Sequence, residues 1–204
     1  MERIGILDYG MGNTASVVRM VERVGGVACR ISTEDEIKNS KKIILPGVGS
    51  FDHGMTLLHE NNLVDILRCI VNDILLLGVC LGMQLLFNRS DEGNLPGLGL
   101  IPGNVVKFRD INPLPIPHMG WNEVDVCREN PLIPLCGEEY VKPRFYFVHS
   151  YYAVCKNLDD VIATVNYGTD VTAAVGRGNI YGVQFHPEKS HRFGMDMIRR
   201  FVEL

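Results

Sequence analysis

No apolar run in this 204-residue chain approaches the roughly 20 residues needed to cross a bilayer. The longest, such as Ile74 to Leu77, end after a few residues. Positive charge is not in excess: 20 Lys and Arg stand against 24 Asp and Glu, a net charge of −4, which leaves no basic footprint for nucleic acid or an anionic membrane. The six cysteines (Cys29, Cys69, Cys80, Cys127, Cys136 and Cys155) contain no C-x-x-C pair, so zinc-ribbon and dithiol redox motifs are excluded. In a reducing compartment most of them are expected to be small buried hydrophobes. The opening MERIGILDYG has no basic segment leading into a long apolar stretch, so no signal peptide is expected, and the expected location is the cytoplasm. Repeats, low-complexity tracts and linkers are missing as well. Residues 1–204 are therefore expected to form one domain, of ordinary globular composition at 46% hydrophobic and 22% charged.

What is present falls into two halves. The first alternates: Arg3–Leu7, Val27–Ser32, Lys42–Leu45 and Ile74–Val79 read as strands. Asn13–Val24, a short turn at Asp35–Asn39, Gly54–Val71 and Leu81–Asn88 read as helices. Such alternation predicts βαβ units around a parallel sheet. In the second half prolines cluster between Pro96 and Pro117 and helical spacing fades. Short strands are predicted at Asn104–Phe108, Asn122–Val126, Arg144–Val148, Val161–Val165 and Thr172–Val175. A tight turn at Arg177-Gly178-Asn179 joins the last of these to Ile180–Phe185, and a helix over Arg192–Val202 follows. The expectation is an α/β domain whose parallel core carries an antiparallel β extension.

The segment ILLLGVCLGMQLL places Cys80 at a strand-to-helix junction, with Gly78 and Gly82 two residues away on either side. G-x-C-x-G is the thiol counterpart of the G-x-S-x-G nucleophile elbow, a turn so tight that the flanking strand and helix need glycine. A cysteine at a helix N-terminus faces unsatisfied N–H groups and the positive end of the dipole, both of which favour thiolate. The N–H of Leu81 opens into the same space and can serve an oxyanion. A thiol nucleophile needs a histidine to move protons. Of His53, His59, His118, His149, His186 and His191, His186 stands out because it ends the predicted strand and is followed by Pro187 and Glu188. On an extended chain, residues two apart share a side, so Glu188 can bond one ring nitrogen and fix the tautomer.

With these residues the chain resembles the class I (triad) glutamine amidotransferases, and among them the glutaminase subunits of imidazole glycerol phosphate synthases. The resemblance runs through DYGMGN, LPGVGSF, GVCLGMQLLF, PHMGWNEV, YFVHSYY and GVQFHPEKS, in order along nearly the whole chain. It implies a single three-layer, flavodoxin-like α/β domain. It also implies a Cys80–His186–Glu188 triad that hydrolyses L-glutamine to glutamate and ammonia, without metal or organic cofactor. An oxyanion hole is expected from the N–H of Leu81 and one of the Val48 and Gly49 loop. Glutamine is expected among Gly47, Gln84, His149, Ser150 and Tyr151, with a satisfied core histidine the other reading of His149. Asn13 and the Met119-Gly120-Trp121-Asn122 loop are implied at the contact with a cyclase or synthase subunit in a heterodimer, while a buried core tryptophan is the plainer reading of Trp121.

Two other readings are carried forward. Gly10-Met-Gly12-Asn-Thr-Ala15 follows a strand and opens a helix, with Glu34 and Asp35 about twenty residues on, as in a dinucleotide-binding turn. That reading gives no account of GVCLG or HPE. The second keeps the chemistry and changes the acceptor: the tail SHRFGMDMIRRFVEL resembles paralogues that supply ammonia for amidating sugar nucleotides in surface-polysaccharide synthesis.

Overall fold

The computed structural model describes residues 3–109, 113–135 and 141–204. The N-terminal half forms β1 (Arg3–Leu7), α1 (Thr14–Arg23), β2 (Val27–Ile31), α2 (Glu34–Lys38), β3 (Lys42–Gly47), α3 (Phe51–Glu60), α4 (Leu63–Ile70), β4 (Leu75–Cys80) and α5 (Leu81–Leu85). The remainder is mostly β: β5 (Gly103–Lys107), β6 (His118–Glu123), β7 (Asp125–Val126), β8 (Arg144–His149), β9 (Tyr151–Cys155), β10 (Val161–Asn166), β11 (Asp170–Arg177), β12 (Ile180–Val183), then α6 (His191–Glu203).

One eight-stranded sheet runs β2-β1-β3-β4-β12-β11-β10-β7. Its first five strands are parallel and the rest antiparallel, and two-stranded ribbons β5-β9 and β6-β8 stand apart from it. Alternation along the parallel strands separates two cores. Ile43, Leu45 and Leu76 pack with Phe51, Met55, Leu58 and Leu67 of α3 and α4. Ile4, Ile6, Ile44 and Leu77 face the other way, onto Val17, Met20 and Val21 of α1 and Met197, Ile198 and Phe201 of α6. Helix, sheet, helix is the three-layer arrangement the sequence predicts. Each large side chain buried in it contributes on the order of 1.5–3 kcal/mol.

Four expectations are corrected. The helix over 54–71 is two helices, because Asn62 adopts the left-handed conformation (φ 58°) and Asn61 Nδ2 donates to the Leu57 carbonyl at 2.8 Å, closing α3. Asparagine tolerates that region where most residues do not. The Met119–Asn122 loop is strand β6, paired with β8 at Trp121↔Tyr146, and the predicted strand over 122–126 is divided between two sheets. Strand β9, which the sequence did not announce, pairs with β5. Finally, of the described cysteines only Cys80 and Cys155 are buried; Cys29 is half-buried, Cys69 and Cys127 are exposed, and Cys136 lies outside the described residues. No described helix is long and apolar enough to cross a membrane.

Candidate active site

Cys80 is the last residue of β4 and the cap of α5, with φ 56° and ψ −113°. A positive φ on a residue with a side chain is strained, and it persists only where the surroundings over-determine it. Here the surroundings are backbone. A Cβ on Gly82 would fall 1.9 Å from the Leu45 carbonyl oxygen, and one on Gly78 2.7 Å from the Gly82 carbonyl oxygen. Gly47, opposite Cys80 in the β3–β4 register, is equally closed: its Cβ would lie 2.7 Å from the Gly82 nitrogen.

On the far side of β4, strand β12 runs parallel with Val183 beside Val79. The chain continues through Gln184 and Phe185 to His186, whose N–H donates to the Tyr146 carbonyl at 2.9 Å. His186 and Glu188 are almost fully buried, and the imidazole Nδ1 lies 2.7 Å from Glu188 Oε1. Their contact is made in a 3₁₀ turn, Pro187–Lys189, rather than on the extended chain the sequence suggested. The Ser190 hydroxyl closes the turn by donating to the His186 carbonyl at 2.6 Å. Burial works against the imidazolium, but the Cys80 thiol and the Glu188 carboxylate outweigh it and raise the His186 pKa to about 9. The sulfur acts on His186 Nε2, which is buried and has no other partner among the described residues.

Cys80 and His186 open into a cavity of about 340 Å³. Its wall includes Val48, Gly49, Leu81, Gln84, His149, Ser150 and Tyr151, all expected there from the sequence. Gly47 does not reach the wall; it packs beneath the elbow, and Glu188 stands behind His186. The structure adds Glu92, Pro117 and Val148. Glu92 accepts from the Phe51 N–H at 2.8 Å, and its loop is pinned by Asp52, whose carboxylate receives the Asn94 and Leu95 N–H groups. Nothing in the local pattern DEGN marks this acid; only the fold brings it to the pocket. His149 is buried, and burial is the first of the effects that lower its pKa to about 3. His149 is thus a buried, hydrogen-bonded histidine that also lines the cavity.

Asn13 caps α1, its Oδ1 accepting from the Ser16 N–H at 3.2 Å. Trp121 is 44% exposed and Met119 60%, so the core reading of Trp121 fails. The indole stacks on the His191 ring with centroids 5.3 Å apart. Gly12, the second glycine of the dinucleotide-like turn, packs against Pro46, where its Cβ would meet the proline Cβ at 3.0 Å; close packing accounts for it. A larger depression of about 690 Å³ lies between Leu132–Leu135 and α6, and among the described residues neither a cysteine nor a histidine lines it. Among the described residues no group of three or more His, Cys, Asp or Glu side chains is arranged to hold a metal.

Residues 5–204 match the family model described as glutamine amidotransferase class-I. The chain belongs to the class-I glutamine amidotransferases. "Imidazole glycerol phosphate synthase subunit HisH 2" of Pseudomonas aeruginosa is 48% identical to this amidotransferase over 203 residues, covering 98% of this chain and 99% of the relative. The protein of the same name from Methanococcus maripaludis is also 48% identical, covering 98% of each. Among solved structures, a crystal structure of a glutamine amidotransferase superposes with a TM-score of 0.76 at 20% identity, covering 98% of this chain and 97% of the other. A chain of PurLQS from Thermotoga maritima gives 0.71 at 20% identity, covering 98% and 95%. At these identities the two structures speak to the fold alone.

Proposed function

We propose that this amidotransferase is the glutaminase subunit of an imidazole glycerol phosphate synthase, releasing ammonia from L-glutamine through Cys80, His186 and Glu188 and delivering it to a synthase partner. The observation that carries the chemistry is the strained Cys80 elbow opening into the same cavity as a histidine tethered to a buried carboxylate. Full-length relatives at 48% identity that bear the synthase-subunit name support the acceptor, ahead of the sugar-nucleotide reading.

In the proposed reaction the Cys80 thiolate attacks the side-chain amide carbon of glutamine. The oxyanion is met by the N–H of Leu81 and by one from Val48 or Gly49. His186, already an imidazolium at neutral pH, gives its proton to the departing nitrogen, and ammonia leaves. The resulting thioester carries no charge on sulfur, so the Cys80 share of the effect that raised the His186 pKa falls away and only that of Glu188 remains. The neutral ring can then take a proton from water, whose oxygen attacks the thioester to give glutamate. Glu188 keeps Nδ1 protonated throughout. The Glu92 carboxylate in the cavity wall suits the α-ammonium of the substrate, and Gln84 offers its amide oxygen beside it.

Val48, between two glycines, lets neighbouring peptide planes turn at low steric cost, so an oxyanion donor can point away until a partner docks. Losing one such donor typically costs about 10²–10³ in rate. The docking surface proposed for that partner comprises Asn13, Met119, Gly120, Trp121 and Asn122. The test is glutamate release by wild type and Cys80→Ala in the assembled synthase. Cys80→Ala is expected to release none while the ammonia-dependent reaction of the partner continues. Glutamate release by that variant, or labelling of a different cysteine by a glutamine-like chloroketone, overturns the assignment.

A further inference from the structure

Behind the cavity wall runs a line of buried and half-buried polar contacts that includes two residues, His118 and Gln184, which the proposed chemistry does not use. Its anchor is the Tyr151 carbonyl oxygen, which can only accept. On one side it receives Gln84 Nε2–H at 3.0 Å, which fixes the Gln84 amide orientation. The same nitrogen then donates to Gln184 Oε1 at 2.9 Å. Gln184 is thereby oriented as well, with its Nε2 turned to the Cys80 sulfur at 4.0 Å. Gln184 is completely buried, so its amide meets no water that could reverse it.

On the other side the Tyr151 carbonyl receives His149 Nδ1–H at 2.8 Å. That tautomer leaves His149 Nε2 as an acceptor, and the ring nitrogen 3.0 Å from it is His118 Nδ1, which must donate. His118 Nε2 is left as an acceptor, facing Asn122 Nδ2 at 3.5 Å. Asn122 lies on β6 beside exposed Trp121. Each histidine uses one nitrogen as donor and one as acceptor, so the line is consistent only with both rings neutral. Burial independently holds both rings neutral at pH 7. Phe147 and Tyr167 stack on the His118 ring, with centroids at 4.7 and 3.9 Å, and keep it in plane with this role.

We infer that two hydrogen-bonded arms form a relay that meets at the Tyr151 carbonyl: Asn122, His118 and His149 hold that carbonyl in place from one side, and from the other it orients Gln84 and then Gln184 so that an N–H donor is presented to the Cys80 sulfur, making His118 and Gln184 positioning residues for the nucleophile. The inference deepens the glutaminase reading and rests on it only for what the nucleophile is used for. A donor aimed at sulfur favours thiolate over thiol, and a mis-set Gln84 amide would put hydrogens where the substrate needs an oxygen. One arm begins on the strand that carries Trp121, so a partner seated there can shift the carbonyl that orients the donor.

The experiment compares three variants in the full chain, with rates of Cys80 alkylation by iodoacetamide read from the Cys80 peptide by mass spectrometry. Gln184→Met keeps length and apolar packing but removes the donor. Cys80 alkylation at pH 7.5 should slow roughly tenfold, as for loss of a hydrogen bond to a charged group. His118→Phe keeps the stacking on Phe147 and Tyr167 and loses the Nδ1 donor. His118→Asn loses the stacking, yet its Nδ2 falls where Nδ1 was and can donate to His149. The relay requires the asparagine variant to stay near the wild-type rate and the phenylalanine variant to slow, whichever melts higher. The reverse order, or a wild-type rate in Gln184→Met, overturns the inference and returns these residues to packing. Glutamate release with the partner synthase should follow the same order through kcat, with a smaller change in KM. A wild type that alkylates normally but never releases glutamate would defeat the glutaminase reading, and the order of alkylation rates would still decide the relay.

Discussion

Acidification should weaken this fold by a calculable amount, because two histidines are held neutral inside it. His118 and His149 are 2% and 6% exposed, and burial depresses their pKa values from 6.5 to about 4 and about 3. A depressed histidine contributes stability that is present above 6.5 and is lost as pH falls towards the folded value, since the unfolded chain takes up protons the fold refuses. Between pH 7 and pH 5 each histidine should cost about 2 kcal/mol. His186 works the other way. Its pKa is raised to about 9, so its contribution is complete below 6.5 and is lost as pH rises through 9; acidification from pH 7 to 5 returns about 1 kcal/mol. The net loss from the three is about 3 kcal/mol, a large part of the stability of an ordinary domain. Urea denaturation at pH 7 and pH 5 measures it directly. His118→Phe keeps the stack on Phe147 and Tyr167 and removes one neutral histidine, so its stability should fall by about 2 kcal/mol less than wild type over the same interval. Equal losses in the two proteins would mean that His118 is free to charge in the fold, and the neutral pair would be refuted.

NMR titration of His186 should show a midpoint near 9 that falls in Glu188→Gln, and the turnover of that variant should drop less than that of His186→Ala, because the carboxylate orients while the ring moves the protons. A total and equal loss of turnover would assign Glu188 a larger task. Gly82→Ala forces a Cβ within 1.9 Å of the Leu45 carbonyl; a loss of about 3 kcal/mol or failure to fold is expected in thermal unfolding, and a wild-type melting curve would show that the elbow is looser than described. Trp121→Ala removes a half-exposed indole from the surface. The melting midpoint should hardly change, while affinity for the synthase partner, measured by calorimetry, should fall by about 2 kcal/mol; unchanged affinity would take Trp121 out of the docking surface.

The parallel core was legible because its strands are apolar runs punctuated by glycine, proline and asparagine. GVCLG and HPE likewise carry their chemistry within three to five residues. What escaped was set by contacts far apart in sequence. The break at Asn62 hides in an amphipathic pattern that continues across it. The β6 strand reads as a loop because its alternation is inverted: apolar Met119 and Trp121 are exposed, while His118 is buried and Gly120 and Asn122 are half-buried. Glu92 reaches the cavity only because Asp52, about forty residues earlier, holds its loop. Gln184 sits inside the HPE-bearing segment and gives no local signal, since its side-chain partners, Gln84 and Cys80, lie about a hundred residues earlier.

The sulfur and the imidazole are delivered from the same end of two adjacent parallel strands, β4 and β12. Cys80 ends β4 and His186 follows β12 by three residues, so the interstrand spacing of a sheet, about 4.8 Å, sets how far apart the two segments leave it. Selection is thus free to lengthen, shorten or replace the segments around the cavity mouth, and so to change acceptors and partners. The meeting of thiol and acid does not have to be invented again each time. Such a division suits a descent in which one ammonia source serves many pathways, with novelty confined to the rim.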